Sequence, residues 1–351
     1  QELSLVEQGQ SGDFPGWETY VFARDDGQVV GVLARELDDR AVALVGIGDL
    51  SALRSAETIL TIHGFTELPI AEYLARSEPS YPTTLADIAD LDSVEFYSGG
   101  TKLIGRLLLP EGEGPFPAIV QTHGSGMSSR GSDGAYFVPP ALVDAGFAVL
   151  YYDKRGVGDS EGVFVEVGAD TGGWRLPQLA DDALAGAAFL RSLDEIDPER
   201  IGLMGGSQAG WVNPLAASRS DDLAFVVSVV GPTVTVGEEV YYSDLTGGGP
   251  DLPEMSDDEL QQLSDQLAAF DGDRGFDPRP SIEAMTTPGL WLWGEIDGSI
   301  PTPESRAILE DIVDEHDEDL VFLSYPDQGH HIGPDAYLDD AVEWIESQLE
   351  G

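Results

Sequence analysis

The chain has 351 residues and a formal net charge of −48, from 65 acidic and 17 basic residues, and only two of the basic residues are lysines. Because this charge repels phosphates, nucleic acid and anionic membranes are excluded as expected partners. The acidic residues are spread along the whole chain, which predicts a carboxylate-covered surface and a fold that needs high salt. Cys is absent, which excludes disulfides and thiolate metal sites, and no apolar run is long enough to predict a transmembrane segment.

Residues 1–85 are predicted to form a small, β-rich N-terminal domain. Three runs within 17–47, separated by DDGQ and DDR turns, have the composition of strands: WETYVFAR, VVGVLAREL and AVALVGIG. A helix is predicted over 49–60. The following stretch at 77–84 is rich in Ser, Thr and Pro and is typical of a linker.

Residues 86–351 change to a pattern of apolar strands that alternate with helices. Strands are predicted at 103–109, 117–123, 147–153, 200–206, 224–230, 290–294 and 320–326. Helices are predicted at 135–145, 177–194, 208–218, 302–314 and 335–349. This alternation indicates an α/β fold with a doubly wound, mostly parallel sheet that is covered by helices on both faces. Functional residues are then expected at the carboxyl ends of the strands.

The segment from about 235 to 285 is too long for an ordinary crossover and is interpreted as a lid insertion. A helix is predicted over 256–270, where Ser256 and Glu259 have the spacing of a capping box. Tyr241 and Tyr242 are candidate contacts to an acyl group of the substrate. The alternatives are an exposed face for the two tyrosines, and a surface excursion without a role in substrate access for the insertion.

The stretch IGLMGGSQAGW, residues 201–211, predicts a nucleophilic Ser207 on a sharp turn between a strand and a helix. Such a turn strains the backbone and exposes the hydroxyl, and the residues two positions away on either side must be small. Gly205 and Ala209 meet this requirement. A glycine-rich turn with an incidental serine is the alternative.

A nucleophilic serine needs a base and a carboxylate, which follow it in the order acid, then histidine, on a doubly wound sheet. Asp297 lies in EIDGSIP after the strand at 290–294, and Glu295 is the alternative acid. His330 lies in DQGHHIG after the strand at 320–326, and His331 is the alternative base.

An oxyanion hole is predicted from two backbone N–H groups, those of Ser125 and Gln208. Ser125 lies in the loop QTHGSGMSSRG after the strand at 117–123, where Gly124 and Gly126 let the backbone turn its N–H groups inward. His123 in the same loop is expected to be structural.

Five motifs occur in order: HGSG, YYDKRGVGDSEG, IGLMGGSQAGW, WGEIDGSIP and YPDQGHHIG. Together they resemble the α/β-hydrolase superfamily, and most closely its bacterial and archaeal esterases with an HGSG loop and a D-K-R-G-x-G-x-S motif. The resemblance covers about 90–351 and implies a triad of Ser207, Asp297 and His330. The chain departs from the family pattern at Gly206, where the family often has His, and at Ala209, where it often has Gly.

The expected function is hydrolysis of carboxylic esters through an acyl-enzyme on Ser207, with a small-molecule or acyl-ester substrate and without metal or cofactor. A peptidase resembling aminopeptidases, an acyl thioesterase of the same fold and a non-catalytic binding module are the alternatives.

A dinucleotide site at 155–162 and a calcium loop at 271–278 are discounted because their spacing is wrong. The composition is also similar to that of halophile proteins. Because residue 1 is Gln, a secreted protein is favoured, with the cytoplasm of a halophile as the alternative.

Overall fold

A computed structural model gives the fold. The structure describes four strands near the N-terminus and then residues 93–130, 138–253, 255–316 and 319–350. The chain divides into two compact units, Gln1–Asp87 and Ile88–Gly351. The predicted helix at 49–60 and the predicted linker at 77–84 lie outside the described residues. The assignment of residues 1–85 to an N-terminal domain and of residues 86–351 to a hydrolase domain stays a prediction.

The first unit contains a four-stranded antiparallel sheet in which each strand pairs with the next one along the chain. Its strands are β1 Ser4–Gln10, β2 Glu18–Ala23, β3 Val29–Leu37 and β4 Arg40–Gly48. The last three coincide with the three predicted runs, whereas β1 was not predicted.

The second unit is built on an eight-stranded sheet. Its strands are β5 Val94–Ser98, β6 Thr101–Leu108, β7 Phe116–Thr122, β8 Ala148–Tyr152, β9 Ile196–Gly206, β10 Val226–Val229, β11 Gly289–Gly294 and β12 Leu320–Tyr325. The order across the sheet is β12-β11-β10-β9-β7-β8-β6-β5. The six strands from β7 to β12 are parallel, and β5 and β6 form an antiparallel edge. The predicted fold class is therefore confirmed, and all seven predicted apolar runs are strands.

Helices cover both faces of this sheet. They are α1 Pro139–Asp144, α2 Gly172–Arg191, α3 Ala209–Ala217, α4 Val236–Thr246, α5 Asp257–Ala268, α6 Arg279–Ala284, α7 Thr302–His316 and α8 Pro334–Leu349. One apolar core lies under α2, α3, α6 and α7, and a second lies under α1 and α8. Both faces are buried, which explains why the central strands are continuous apolar runs. The helices α4 and α6 were not predicted.

The direction of chain winding reverses between β7 and β9. From β7 the chain moves to β8 on one side, and from β9 it moves through β10 and β11 to β12 on the other. Loops that leave two neighbouring strands in opposite directions open a crevice at their carboxyl ends. The loop after β7 begins at His123 and the turn after β9 contains Ser207, so both segments lie at this crevice.

Candidate active site

Ser207 lies between β9 and α3 with a φ of 55°, a left-handed conformation that is rare for a residue with a side chain. Its N–H donates to the carbonyl of Val229 at 2.9 Å, which fixes the turn to the neighbouring strand. Gly205 is opposite Thr122 in the sheet. A Cβ at Gly205 would lie 2.2 Å from Oγ1 of Thr122 and 2.8 Å from Cβ of Ala209. The small residues around Ser207 are therefore required by close packing.

Ser207, His330 and Asp297 form a chain of hydrogen bonds. The Ser207 hydroxyl donates to Nε2 of His330 at 3.2 Å, and the Nδ1–H of His330 donates to Oδ2 of Asp297 at 2.9 Å. The other oxygen of Asp297 accepts the N–H groups of Ser299 and Ile300, both at 2.7 Å. Asp297 is 1% exposed, so its carboxylate is held in one orientation by contacts on both oxygens. This arrangement can take a proton from the serine hydroxyl.

The alternative acid, Glu295, and the alternative base, His331, have different surroundings from Asp297 and His330. The carboxylate of Glu295 accepts from Arg306 at 3.3 Å on the surface, in place of a contact to the imidazole. The ring of His331 is exposed, and its centroid lies 6.1 Å from that of His330. Of the candidate acids and bases, the structure brings Asp297 and His330 to Ser207. Their catalytic roles stay predictions at this point.

The first helix of the predicted lid contacts the loop that carries Asp297. The hydroxyl of Tyr242 donates to the carbonyl of Asp297 at 2.9 Å, and the hydroxyl of Thr246, one turn later, donates to the carbonyl of Gly298. Tyr242 is 5% exposed, and its hydroxyl supports the loop that carries Asp297. This contact differs from the predicted contact to an acyl group of the substrate. Tyr241 stacks on Phe270 with ring centroids 4.9 Å apart.

The connection between α4 and α5 joins the loop that carries Asp297, here called the acid loop, to the loop that carries His330, here called the histidine loop. The carbonyl of Pro250 accepts the N–H of His330 at 2.5 Å and the N–H of Gly298 at 3.4 Å, and the N–H of Leu252 donates to the carbonyl of Ile296 at 2.6 Å. Asp251 also pairs with Asp297 in an isolated bridge. Part of the insertion therefore supports the site. Its function as a lid stays a prediction.

The helix α5 confirms the predicted capping box. Oγ of Ser256 accepts the N–H of Glu259 at 3.4 Å, and Oε2 of Glu259 accepts the N–H of Ser256 at 2.8 Å. Two leucines of α5, Leu263 and Leu267, pack against Tyr242. The helix is thus attached to α4 through an apolar contact.

The loop after β7 lies directly against Ser207. A Cβ at Gly124 would lie 3.5 Å from Cβ of Ser207. In the described part of the chain, neither the N–H of Ser125 nor that of Gln208 donates to another group. His123 is bound by its Nε2 to the carbonyl of Tyr152 at 2.6 Å, and burial lowers the pKa of its imidazole to about 3. This contact of a neutral, half-buried imidazole supports a structural role for His123.

Two ionisable groups beside the site were not identified from the sequence. Glu239 on α4 is half-buried, and its burial together with the charge of Asp297 raises the pKa of its carboxyl to about 8. Lys154 is 1% exposed, and burial lowers the pKa of its ammonium to about 7. A sequence signal was available for Lys154, since it is one of two lysines in a chain with 65 acidic residues.

The motif DKRGVGDS forms a braced loop after β8. Asp153 accepts from the N–H of Arg130 at 2.7 Å and from the N–H of Asp159 at 2.8 Å, and Arg155 pairs with the buried Asp182. Cβ at Gly158 would lie 2.3 Å from Oδ2 of Asp153, so only glycine fits there. This bracing fixes the backbone position of Lys154 between the two.

Within the described residues, no group of three or more His, Asp or Glu side chains is placed to hold a metal ion. No helix in the same part of the chain is long and apolar enough to span a bilayer. Trp211, Trp291 and Trp293 are buried in the core.

Sequence comparisons relate the chain to known hydrolases. Residues 99–272 match the family described as X-Pro dipeptidyl-peptidase (S15 family). The chain is 34% identical over 143 residues to the quorum-quenching protein AidA of Acinetobacter baumannii, which is 40% of this chain and 43% of that protein. It is 31% identical over 152 residues to esterase EstD of Thermotoga maritima, which is 41% of this chain and 33% of that protein. The matches thus span less than half the length of these curated relatives.

A structural comparison agrees with the sheet topology. The esterase Pf2001 of Pyrococcus furiosus superposes with a TM-score of 0.56 at 17% identity, over 78% of this chain and 94% of that structure. At this identity the likeness concerns the fold. The larger unit of the chain has the α/β-hydrolase fold, and its sequence resembles that of hydrolases.

Proposed function

We propose that this chain is a serine hydrolase that cleaves carboxylic esters through Ser207, His330 and Asp297. The observation that carries the proposal is the hydrogen-bonded chain from Oγ of Ser207 through His330 to Oδ2 of Asp297, with the serine in a strained left-handed turn. The resemblance to an esterase in sequence and to another in fold supports ester substrates.

In the proposed reaction, Oγ of Ser207 attacks the ester carbonyl while Nε2 of His330 takes the hydroxyl proton. Asp297 keeps Nδ1 protonated and stabilises the imidazolium that forms. The carbon–oxygen bond to the alcohol then breaks, and His330 gives its proton to the leaving alkoxide. Water, deprotonated by the same imidazole, attacks the acyl-enzyme and releases the acid and the free serine.

The developing oxyanion would be bound by the N–H groups of Ser125 and Gln208. Both are free to donate within the described residues, and the loop of Ser125 lies against Ser207. Two such donors stabilise the tetrahedral intermediate more than the planar ester, because they are placed before charge develops. The insertion over 235–285 is proposed to act as a lid through α5, with α4 attached to the acid loop.

The test is hydrolysis of p-nitrophenyl acetate, butyrate and octanoate in molar salt by the wild type and by Ser207→Ala. We expect kcat/KM of Ser207→Ala to fall about 10⁵-fold or more, since the nucleophile is lost. The pair His330→Gln and His331→Gln provides a matched control at adjacent positions. His330→Gln should lose activity on the same scale, and His331→Gln should keep most of it. Equal turnover by wild type and Ser207→Ala would show that Ser207 is not the nucleophile.

A peptidase is the second candidate, and the match of residues 99–272 to the X-Pro dipeptidyl-peptidase family favours it. The same three residues would then cleave an amide after proline. An X-Pro p-nitroanilide measured beside the esters separates the two functions. Faster turnover of the anilide at equal concentration would assign the site to peptides.

A further inference from the structure

Lys154 is a buried ammonium whose side-chain hydrogen bonds all lie on the two segments that supply the proposed oxyanion donors, and it also lies over the ring of Phe164 at 5.7 Å. Its Nζ donates to the carbonyl of Gly124 at 2.8 Å, to the carbonyl of Gly126 at 3.2 Å and to Oε1 of Gln208 at 2.8 Å. An ammonium has three donors, so all three protons are used. The side chain is 1% exposed and contacts neither Ser207 nor His330 by a hydrogen bond.

The contact to Gly124 fixes the direction of the N–H of Ser125. The carbonyl of Gly124 and the N–H of Ser125 belong to one planar trans peptide, in which the two groups point in opposite directions. When Lys154 holds the carbonyl on its own side, the N–H is turned away from the lysine. A Cβ at Gly124 would lie 3.4 Å from the carbonyl oxygen of Gly206, so the same peptide also packs against the turn that contains Ser207.

The contact to Gln208 ties the second proposed donor to the same ammonium. Oε1 of Gln208 accepts from Lys154, and Nε2 of Gln208 donates to Oγ of Ser125 at 3.4 Å. Gln208 is 1% exposed and follows Ser207 directly. The lysine therefore joins the loop after β7 to the turn after β9 across the crevice of the sheet.

Burying the ammonium of Lys154 costs free energy, because the charged group loses its hydration. Burial lowers the pKa of Lys154 to about 7, although the negative charge of Glu166 acts in the other direction. Replacing a buried charge and its partners by apolar residues is often neutral or stabilising, so stability alone does not account for the lysine. A requirement for fixed carbonyl directions does account for it.

We propose that Lys154 is a positioning residue that orients the N–H groups of the oxyanion hole by holding Gly124, Gly126 and Gln208 together. The proposal rests on the ester-cleaving function assigned to Ser207. It places the positive charge behind the Gly124–Ser125 peptide, where it also favours negative charge on the oxygen of the tetrahedral intermediate.

The test compares Lys154→Met, which keeps length and removes donors and charge, with Lys102→Met at the other lysine of the chain. For each protein, kcat and KM are measured on p-nitrophenyl butyrate, and the dissociation constant is measured for butylboronic acid, which forms a tetrahedral adduct on a serine oxygen. We expect kcat of Lys154→Met to fall about 10- to 100-fold with KM within about twofold. Boronate binding should weaken by a similar factor, and Lys102→Met should match the wild type.

A direct measurement on the wild type covers the case in which Lys154→Met does not fold. With ¹⁵N-labelled lysine the protein gives two side-chain ammonium signals, which Lys102→Met assigns. Formation of the boronate adduct should shift the Lys154 signal and leave the Lys102 signal in place. An unchanged Lys154 signal, or a folded Lys154→Met with wild-type kcat and boronate affinity, would overturn the inference alone. A wild type that neither hydrolyses the ester nor binds boronate would overturn the proposed function with it.

Discussion

Glu239 is a carboxyl group placed beside another carboxylate, the buried Asp297. Burial and the charge of Asp297 raise its pKa to about 8, Asp244 adds to this effect, and a hydrogen bond from Ser299 opposes it. At neutral pH the side chain of Glu239 is therefore mainly protonated and uncharged. This protonation avoids a second negative charge next to the acid that orients His330.

The raised pKa of Glu239 predicts how stability depends on pH. The folded state keeps the proton up to about pH 8, whereas the unfolded chain releases it near the ordinary value of 4.5. This group therefore stabilises the fold most at low pH, and its contribution is lost as pH rises from about 4.5 to about 8. Chemical unfolding of wild type and Glu239→Gln at pH 5, 6.5 and 8 in molar salt measures the effect. The difference between the two proteins should change across this range, and a constant difference would contradict the assignment.

At the residue scale, the candidates that the sequence reveals are those that occur in local motifs. Ser207 lies in its turn motif, and the candidates Asp297 and His330 follow strands whose order in the chain is the order that a doubly wound sheet requires. The contacts that were missed connect distant parts of the chain. Lys154 meets Gln208 from 54 positions away, and Tyr242 meets Asp297 from 55 positions away. No local pattern contains such contacts.

At the scale of elements, α4 acts as a support for the acid loop. Tyr242 and Thr246 lie four residues apart, on one face of the helix, and both donate to carbonyls of that loop. The connection that follows carries Pro250, whose carbonyl accepts from the histidine loop. Movement of α4 would therefore disturb the positions of Asp297 and His330 together.

The pair Tyr242→Phe and Tyr241→Phe tests this support at neighbouring positions. Tyr242→Phe leaves the carbonyl of Asp297 without its hydroxyl donor, which costs about 1–3 kcal/mol for a buried group. We expect kcat on p-nitrophenyl butyrate to fall about 3- to 10-fold with a small change in KM, because positioning of the acid is affected.

Tyr241→Phe removes a hydroxyl that donates to nothing in the described residues and keeps the stacking on Phe270, so it should behave as wild type. A readout independent of turnover is the low-field proton signal of Nδ1 of His330, which reports the hydrogen bond to Asp297. An unchanged signal and unchanged kcat in Tyr242→Phe would argue against the supporting role of α4.

The elements that were not predicted have weak periodicity of apolar residues. Their ends, however, are marked by turn or capping residues. The strand β5 has the alternating burial of a half-buried edge, and Gly99 and Gly100, with φ values of 55° and 84°, form the tight turn to β6. The helix α4 contains aromatic and β-branched residues that favour strands. Its ends are marked by the capping box of Thr235 and Glu238 and by Gly247 at a φ of 87°. Burial against the acid loop outweighed the local preference.

At the scale of the whole molecule, the net charge of −48 predicts a strong dependence of stability on salt. Repulsion among carboxylates destabilises the compact state more than the extended chain. The Debye length falls from about 10 Å at 0.1 M to about 3 Å at 1 M, so most of the repulsion is screened at molar salt. We expect the thermal unfolding midpoint to rise steeply with KCl up to about 1 M and then level off.

Sucrose at matched osmolality is the control, since it strengthens burial without screening charge. A rise of the midpoint in KCl that exceeds the rise in sucrose assigns the effect to screening. Full stability in 10 mM buffer, measured by circular dichroism, would contradict the prediction that this fold needs high salt.

The proposed active site joins segments that are far apart along the chain. Ser207 and His330 are separated by 123 positions, and the carbonyl of Pro250, which holds the histidine loop, comes from a third segment between them. Contacts of such long separation carry a loop-closure entropy cost that must be met before the contact adds stability. We expect helices and hairpins, whose contacts are local, to form before the serine hydroxyl meets the imidazole. Recovery of hydrolysis therefore reports the joining of these three segments, and we expect it to lag the recovery of helix signal during refolding.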